Sequence, residues 1–253
     1  NEERYIKSAI VALQKQTYKN WILFISDNQS SDNTSKICKY FSNIDERVVY
    51  YQQDENIGLM SNFEYVANIY INKYKNKYFM WAQSDDLWGE DFLKDCVFLL
   101  ESNTVNGVAF SAMDNIDTYS RVVRQYESFN RFSSLKTWKN RLKYLLEPEI
   151  LGKSNIFLGL YRYSVISDIM SRVGFSEMYS DYVIAYRIVS SSHLSVTNKV
   201  LFHKRSDSGN DKKKYITPII HKSIRDSVFS VRTHFKLHCK YFMASQDFQG
   251  KIS

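Results

Sequence analysis

Two adjacent carboxylates close an apolar run, Tyr78-Phe79-Met80-Trp81-Ala82-Gln83-Ser84-Asp85-Asp86. A strand that releases two acids at its C-terminal tip gains little packing from them. A buried carboxylate is costly unless it is paired or bound to a metal. Hard divalent cations prefer carboxylate oxygens, and a cation held there can neutralise a departing phosphate. On this reading Asp86 ligates the cation and Asp85 meets sugar or ribose hydroxyls. The competing reading is a helix cap for the segment after Trp88, because Asp caps helices well. The pair favours chemistry over capping, but two adjacent acids do not specify one reaction.

Other candidates are less specific on their own. Asp27 could accept a hydrogen bond from the N–H of a pyrimidine ring, or it could close an Asx-turn. Asn28, Ser30 and Asp32 read as turn and cap residues, although Asn28 also lies at the edge where a ligand would sit. The turn Asn56-Ile57-Gly58 lets the backbone approach a ligand, and Asn62 can hold that loop in place. Asp181 sits in the aromatic stretch Phe175-Ser176-Glu177-Met178-Tyr179-Ser180-Asp181-Tyr182. Such a setting can raise a carboxyl pKa and suits a general base, and a capping role explains the residue equally well. His203, Lys204 and Arg205 follow a short apolar strand. They are candidates for diphosphate or acceptor contacts, and His203 for the metal shell. A solvated basic turn is the alternative.

The elements that would position these residues alternate. Tyr5, Ile6, Ala9, Ile10 and Leu13 recur at helical spacing, Trp21 to Ile25 reads as a strand, and Thr34 to Phe41 resumes a helix. Val48 to Tyr51 is a second strand. A helix carrying Phe63, Val66, Ala67 and Tyr70 follows, then the strand Tyr78 to Ala82. The next helix carries Phe92, Leu93, Val97 and Leu100. This order predicts an α/β fold with a Rossmann-like, mostly parallel sheet flanked by helices. Such sheets bind ligands at the carboxyl ends of their strands, where Asp27 and Asp85-Asp86 both fall. Further on, Val108 to Ser111 is a strand and residues 112–133 are loop and hairpin. Ser134 to Leu146 can form a helix, and Gly152 to Tyr161 returns to the core. Tyr179 to Val189 is a helix, Val200 to His203 a strand, and Ser206 to Asp211 a loop. The expected division is 1–111 for donor binding, 112–211 for acceptor and base, and 212–253 as a basic C-terminal segment.

The 253-residue length suits one domain with an appendage, and no apolar run is long enough to span a bilayer. Cys38, Cys96 and Cys239 are far apart, which argues against a disulfide framework and a zinc knuckle. The net charge of +7 favours anionic partners. Pro218 to Phe242 reads as a basic amphipathic helix, with Lys222, Arg225, Arg232, Lys236 and Lys240 against Ile220, Ile224, Val231, Phe235 and Phe242. One face can rest on the catalytic domain or on an anionic membrane surface. His221, His234 and His238 belong to its polar surface, and no acidic partner completes a zinc site there.

The ordered stretches Gln16-Thr17-Tyr18-Lys19-Asn20-Trp21, Ile25 to Thr34, Asn56-Ile57-Gly58 with Asn62, and Tyr78 to Trp88 resemble the family 2 glycosyltransferases. The match weakens through Gly159-Leu160-Tyr161-Arg162, Asp181 and His203-Lys204-Arg205. The resemblance implies a GT-A fold and a UDP- or dTDP-sugar donor, UDP foremost. It implies that Asp27 recognises the base, with Asn28, Asn56, Gly58 and Asp85 beside the nucleotide. Asp86 would bind Mn²⁺ or Mg²⁺, Asp181 would act as base, and the anomeric configuration would invert. It further implies bacterial surface polysaccharide synthesis, such as capsule or O-antigen, on a glycan or lipid-linked acceptor. The corresponding location is the cytoplasm, with peripheral contact to the inner face of the plasma membrane through 212–242, and no nucleic acid partner is expected. The family begins with a hydrophobic strand, whereas this chain opens at Asn1-Glu2-Glu3-Arg4-Tyr5, which resembles the residues after it. That first strand is therefore expected to lie outside this chain. Ser84 also stands where many relatives carry Asp or another small residue, which argues against three carboxylates on the metal side. A metal-dependent phosphohydrolase or nucleotidyltransferase is the second enzyme class, although no Walker A sequence is present. A non-catalytic carbohydrate-binding protein is the third reading, with the 19 Tyr residues available for stacking.

Overall fold

A computed structural model describes residues 1–133, 142, 144, 146–147, 151–172 and 180–206. Most of the expected helix over Ser134 to Leu146 lies outside the described residues. So do Phe175 to Tyr179, the loop beyond Ser206, and all of 212–253 with its basic segment and histidines.

Helix α1 (Ile6–Gln14) and helix α2 (Thr34–Ile44) flank strands β1 (Leu23–Asp27) and β2 (Val48–Gln52). The strands pair in parallel, from Leu23 opposite Val48 to Asp27 opposite Gln52. Ile6, Ile10, Cys38, Phe41 and Val48 make the small core of this unit. Burial pushes the Cys38 thiol up to about 12, with Asp27 and Asp32 adding to the shift, so it stays protonated at neutral pH. The polar loop 28–33 is a set of ties. Glu3 N–H donates to Asp32 and Asn33 N–H donates to Glu3, which anchors the loop to the start of α1.

Helix α3 (Leu59–Ile69) leads through a π-helical turn to β3 (Tyr78–Phe79), and β4 (Leu87–Trp88) follows the Asp pair. Helix α4 (Phe92–Ser102) precedes the long strand β5 (Asn106–Ile116) and the hairpin strand β6 (Val122–Gln125). A 3-10 helix (Lys153–Leu158), β7 (Leu160–Arg162), α5 (Tyr163–Arg172), α6 (Ser180–Ser191) and β8 (His193–Arg205) complete the described chain.

The second sheet runs β3-β7-β5-β8-β4, with β6 on β5. Only β5 and β8 are parallel within it; the β3–β7, β5–β7, β5–β6 and β4–β8 pairs are antiparallel. The fold is α/β as expected, but the sheet is mixed rather than mostly parallel. For β5 and β6 the reason is connection length. Asp117–Arg121 between β5 and β6 is too short for a parallel crossover, which takes about a dozen residues or more. β3 stops at Phe79 rather than at Ala82 because its partner β7 spans only Leu160–Arg162. β5 runs from Asn106 to Ile116, across residue 111.

The main core is aromatic. Phe110 packs on Phe92, Phe129 and Phe202, and Trp81 packs on Phe79, Phe157 and Tyr161. These rings are buried, so much of the aromatic content serves packing. Each fully buried Phe contributes roughly 1.5–3 kcal/mol of transfer free energy.

Candidate active site

Asp86 is fully buried at the turn between β3 and β4. Its Oδ1 accepts the Arg205 backbone N–H at 2.8 Å. Its Oδ2 is buried and has no hydrogen-bond partner. Burial, then the neighbouring Asp85 charge, push the carboxyl up to about 8, against weaker opposing effects of Lys204 and Arg205. An orphaned buried oxygen costs about 1–3 kcal/mol, more for a charged group. It is therefore a poor structural choice and a good place for a ligand. Among the described residues no group of three His, Cys, Asp or Glu gathers to cage a metal. A hard cation sharing its shell with a diphosphate and water needs only one or two carboxylates, and Asp86 with the half-buried Asp85 fits that requirement.

Asp27 ends β1 and is 4% exposed. Its Oδ1 accepts Ser30 N–H at 2.9 Å and its Oδ2 accepts the Tyr50 hydroxyl at 2.8 Å. Burial and this carboxylate hold the Tyr50 phenol above its ordinary range. Asn28 and Asn56 join their loops, because Asn28 Nδ2 donates to Asn56 Oδ1 and Ile57 N–H donates to Asn28 Oδ1. Gly58 adopts φ +85° and ψ 158°, and a Cβ built there would meet nothing within 4 Å. The loop therefore has both glycine geometry and open space. Asn62 donates to the Ser26 carbonyl and accepts the Ser26 hydroxyl, fixing α3 to the end of β1.

The basic triplet separates. Arg205 is 7% exposed. It donates through Nε to the Asp85 carbonyl at 2.9 Å, through Nη1 to the Asp117 carbonyl at 2.5 Å, and through Nη2 to Ser120 Oγ at 3.1 Å. Its guanidinium also lies 4.5 Å from the Tyr5 ring centroid. It clamps the acidic turn to the β5–β6 hairpin. Lys204 Nζ donates to Asn155 Oδ1 at 2.7 Å on the 3-10 helix. His203 Nδ1 lies 2.7 Å from Asp114 Oδ1 on the neighbouring strand. It also lines a cleft of about 510 Å³ against α1, together with Lys7, Lys15, Leu87 and Glu90. Asp85 and Asp86 are not in that lining. Asp181 is half-buried in the first turn of α6. That helix packs on the 3-10 helix that carries Asn155.

The structure thus brings Asp85, Asp86, Lys204 and Arg205 together and places His203 with Asp114. Sequence reasoning missed Tyr50, Asp114, Asn155, Asp117 and Ser120 as partners. Their signal exists only once strand register is known.

The α/β architecture, with one parallel core pair and antiparallel flanks in its second sheet, is that of GT-A glycosyltransferase structures. The TarS structure from S. aureus matches it with TM-score 0.59 at 16% identity, over 100% of this chain and 44% of TarS. The family model for glycosyl transferase family 2 matches residues 1–166, and the chain belongs to that family. The putative teichuronic acid biosynthesis glycosyltransferase TuaG of Bacillus subtilis (strain 168) is 22% identical over 216 residues, 80% of this chain and 82% of TuaG. The Escherichia coli protein WfgD is 29% identical over 112 residues, 42% of this chain and 40% of WfgD. WfgD is a UDP-Glc:α-D-GlcNAc-diphosphoundecaprenol β-1,3-glucosyltransferase. Two further matched glycosyltransferases are spanned over only 13% and 52% of their own lengths. No helix among the described residues is long and apolar enough to cross a membrane.

Proposed function

We propose that this chain transfers a sugar from a UDP- or dTDP-sugar to a hydroxyl of a glycan or lipid-linked acceptor, with inversion, in bacterial surface polysaccharide synthesis. The observation that carries this reading is the buried Asp86 Oδ2 with no partner, beside Asp85, at a strand end of a family 2 chain. Asp86, with Asp85 beside it, would hold Mn²⁺ or Mg²⁺. Bound there, the cation supplies charge neutralisation to the leaving nucleoside diphosphate.

The chain's own groups do the rest. Asp27 shapes the turn at the base-binding edge, and Asn28 and Asn56 present amides beside it. Gly58 lets backbone approach the nucleotide, and Asp85 faces the donor sugar. Arg205 fixes the acidic turn, while Lys204 contributes a positive charge and His203 an imidazole held by Asp114. Asp181 takes a proton from the acceptor hydroxyl, whose oxygen attacks the anomeric carbon as the nucleoside diphosphate departs. Positioning and electrostatic stabilisation lower the barrier. The diphosphoundecaprenol-linked acceptor of WfgD and the teichuronic acid biosynthesis for which TuaG is named support a lipid-diphosphate or glycan acceptor. The cytoplasmic face of the plasma membrane is the corresponding location.

The test is thermal unfolding with a panel of UDP- and dTDP-sugars, with and without Mn²⁺. Ligands that bind the native state raise its apparent stability. A metal-dependent rise with one donor, followed by transfer to a lipid-diphosphate acceptor, is the expected result. Rapid phosphate release without acceptor would instead indicate a hydrolase.

A further inference from the structure

The β5–β6 hairpin carries a surface that the transfer reading does not use. Tyr119, Val122 and Val123 are 74%, 52% and 53% exposed. Successive strand residues point to opposite faces, so β6 is uncovered on both. Among the described residues it pairs on one edge, with β5. Scattered exposed apolar residues need no explanation, but here they share one short hairpin with Arg121 and Arg124. No acidic residue occurs between Thr118 and Tyr126. Asp117, just before, is 4% exposed and sits beneath Arg121. The outer surface is therefore apolar and cationic together.

The tip is formed in advance. Ser120 N–H donates to the Asp117 carbonyl at 3.0 Å and Asp117 N–H to the Arg121 carbonyl at 2.9 Å. Tyr119 and Arg121 N–H both donate to Asp117 Oδ1, and Ser120 takes the left-handed φ of 61° that closes such a turn. A ligand would not have to order it. The turn of the hairpin is itself tied to the Asp85-Asp86 turn by the Arg205 side chain, through the Asp117 carbonyl and Ser120 Oγ.

We propose that this hairpin seats on an anionic phospholipid surface. The valines and Tyr119 enter the headgroup–acyl boundary, and Arg121 and Arg124 meet lipid phosphates. The charge pattern favours lipid over a second copy. Pairing two β6 edges antiparallel would bring arginines of both copies close, and like charges across strands repel. Seated in this way, the hairpin sets the headgroup layer beside the acidic turn, where a lipid-linked acceptor would be needed. The inference draws its purpose from the proposed transfer, but its test uses neither donor nor acceptor, so the two fail separately.

The experiment is sedimentation of the full chain with phosphatidylglycerol vesicles and with phosphatidylcholine vesicles at low salt. Binding to the anionic vesicles alone is expected. Val122→Ser with Val123→Ser should lower partitioning about tenfold, and Arg124→Gln roughly fivefold, with thermal unfolding as the check on folding. A Val123→Trp variant should be quenched by brominated phosphatidylglycerol even if the serine pair does not fold. Unchanged binding by the serine pair, or no quenching of the Trp variant, overturns the proposal. So does a parent dimer that the serine pair dissolves.

Discussion

Asp27 at the end of β1 and Asp86 just before β4 are both buried acids, and they differ in how their oxygens are satisfied. Asp27 has both oxygens hydrogen-bonded, to Ser30 N–H and to the Tyr50 hydroxyl. Asp86 has one oxygen on Arg205 N–H and the other without a partner. Burial costs each carboxylate its hydration. Asp27 recovers part of that loss on both oxygens within the described protein, whereas Asp86 leaves Oδ2 without a protein partner.

The strongest way to break this comparison is Asp86→Asn. If the free oxygen holds the cation, transfer should fall by at least about a hundredfold, while the folded protein remains. Near-parental turnover in a donor-saturated assay would remove Asp86 from the site. The same substitution tests the charge argument through stability. The Asp86 carboxyl sits at about 8 when folded against an ordinary 3.8. Between these values the folded protein holds a proton that the unfolded chain has released. Metal-free stability from this group is thus fully present below about pH 4 and is lost as pH rises through about 8. Asp86→Asn should flatten that slope in chelator-treated denaturation curves.

Asp27→Ala is the mirror test. It should leave two half-buried donors, Ser30 N–H and the Tyr50 hydroxyl, without this acceptor and cost about 1–3 kcal/mol in denaturant unfolding. Donor affinity would change only through the turn. A variant as stable as the parent, with a selective loss of nucleotide binding, would reverse the roles assigned to the two acids.

The same contrast explains what the sequence made legible. Alternating apolar periods gave α1 to α4 and the first two strands in the right order, with ends displaced by up to three residues, as at β1 (Leu23–Asp27) and α2 (Thr34–Ile44). The Asp85-Asp86 pair stood out because acids are unusual after a run such as Tyr78 to Ala82. What stayed hidden depends on register between distant segments. Asp114 meets His203 only because β5 and β8 pair in parallel at that step. Tyr50 reaches Asp27 only because β1 and β2 align with Ile25 opposite Tyr50. Arg205 read as a phosphate contact from its charge alone, yet its donors go to carbonyl and hydroxyl oxygens of two turns. The mixed sheet escaped for the same reason, since strand direction follows from which distant segment supplies the partner.

Gly58 sharpens the comparison on the donor side. Its φ and ψ fall where side-chain-bearing residues are strained, while no protein atom crowds the position. Gly58→Ala should cost about 1–3 kcal/mol through the backbone alone. If nucleotide also approaches this backbone, the donor concentration needed for half-saturation should rise beyond what the stability loss explains. Equal donor binding at full folding would reduce Gly58 to a turn residue.

Tyr50→Phe is the smallest and most selective change. It deletes one hydroxyl that donates to Asp27 Oδ2 at 2.8 Å and leaves the ring. A single such bond is worth about 0.5–1.5 kcal/mol net, so a modest loss of stability is expected. The informative readout is donor affinity, because the substitution frees one Asp27 oxygen without removing the carboxylate. If Asp27 only holds its turn, affinity for a UDP-sugar stays at the parental value. If Asp27 accepts the N–H of the base, an oxygen released from Tyr50 should bind it more tightly, and calorimetric titration of UDP against Tyr50→Phe and parent measures that difference directly.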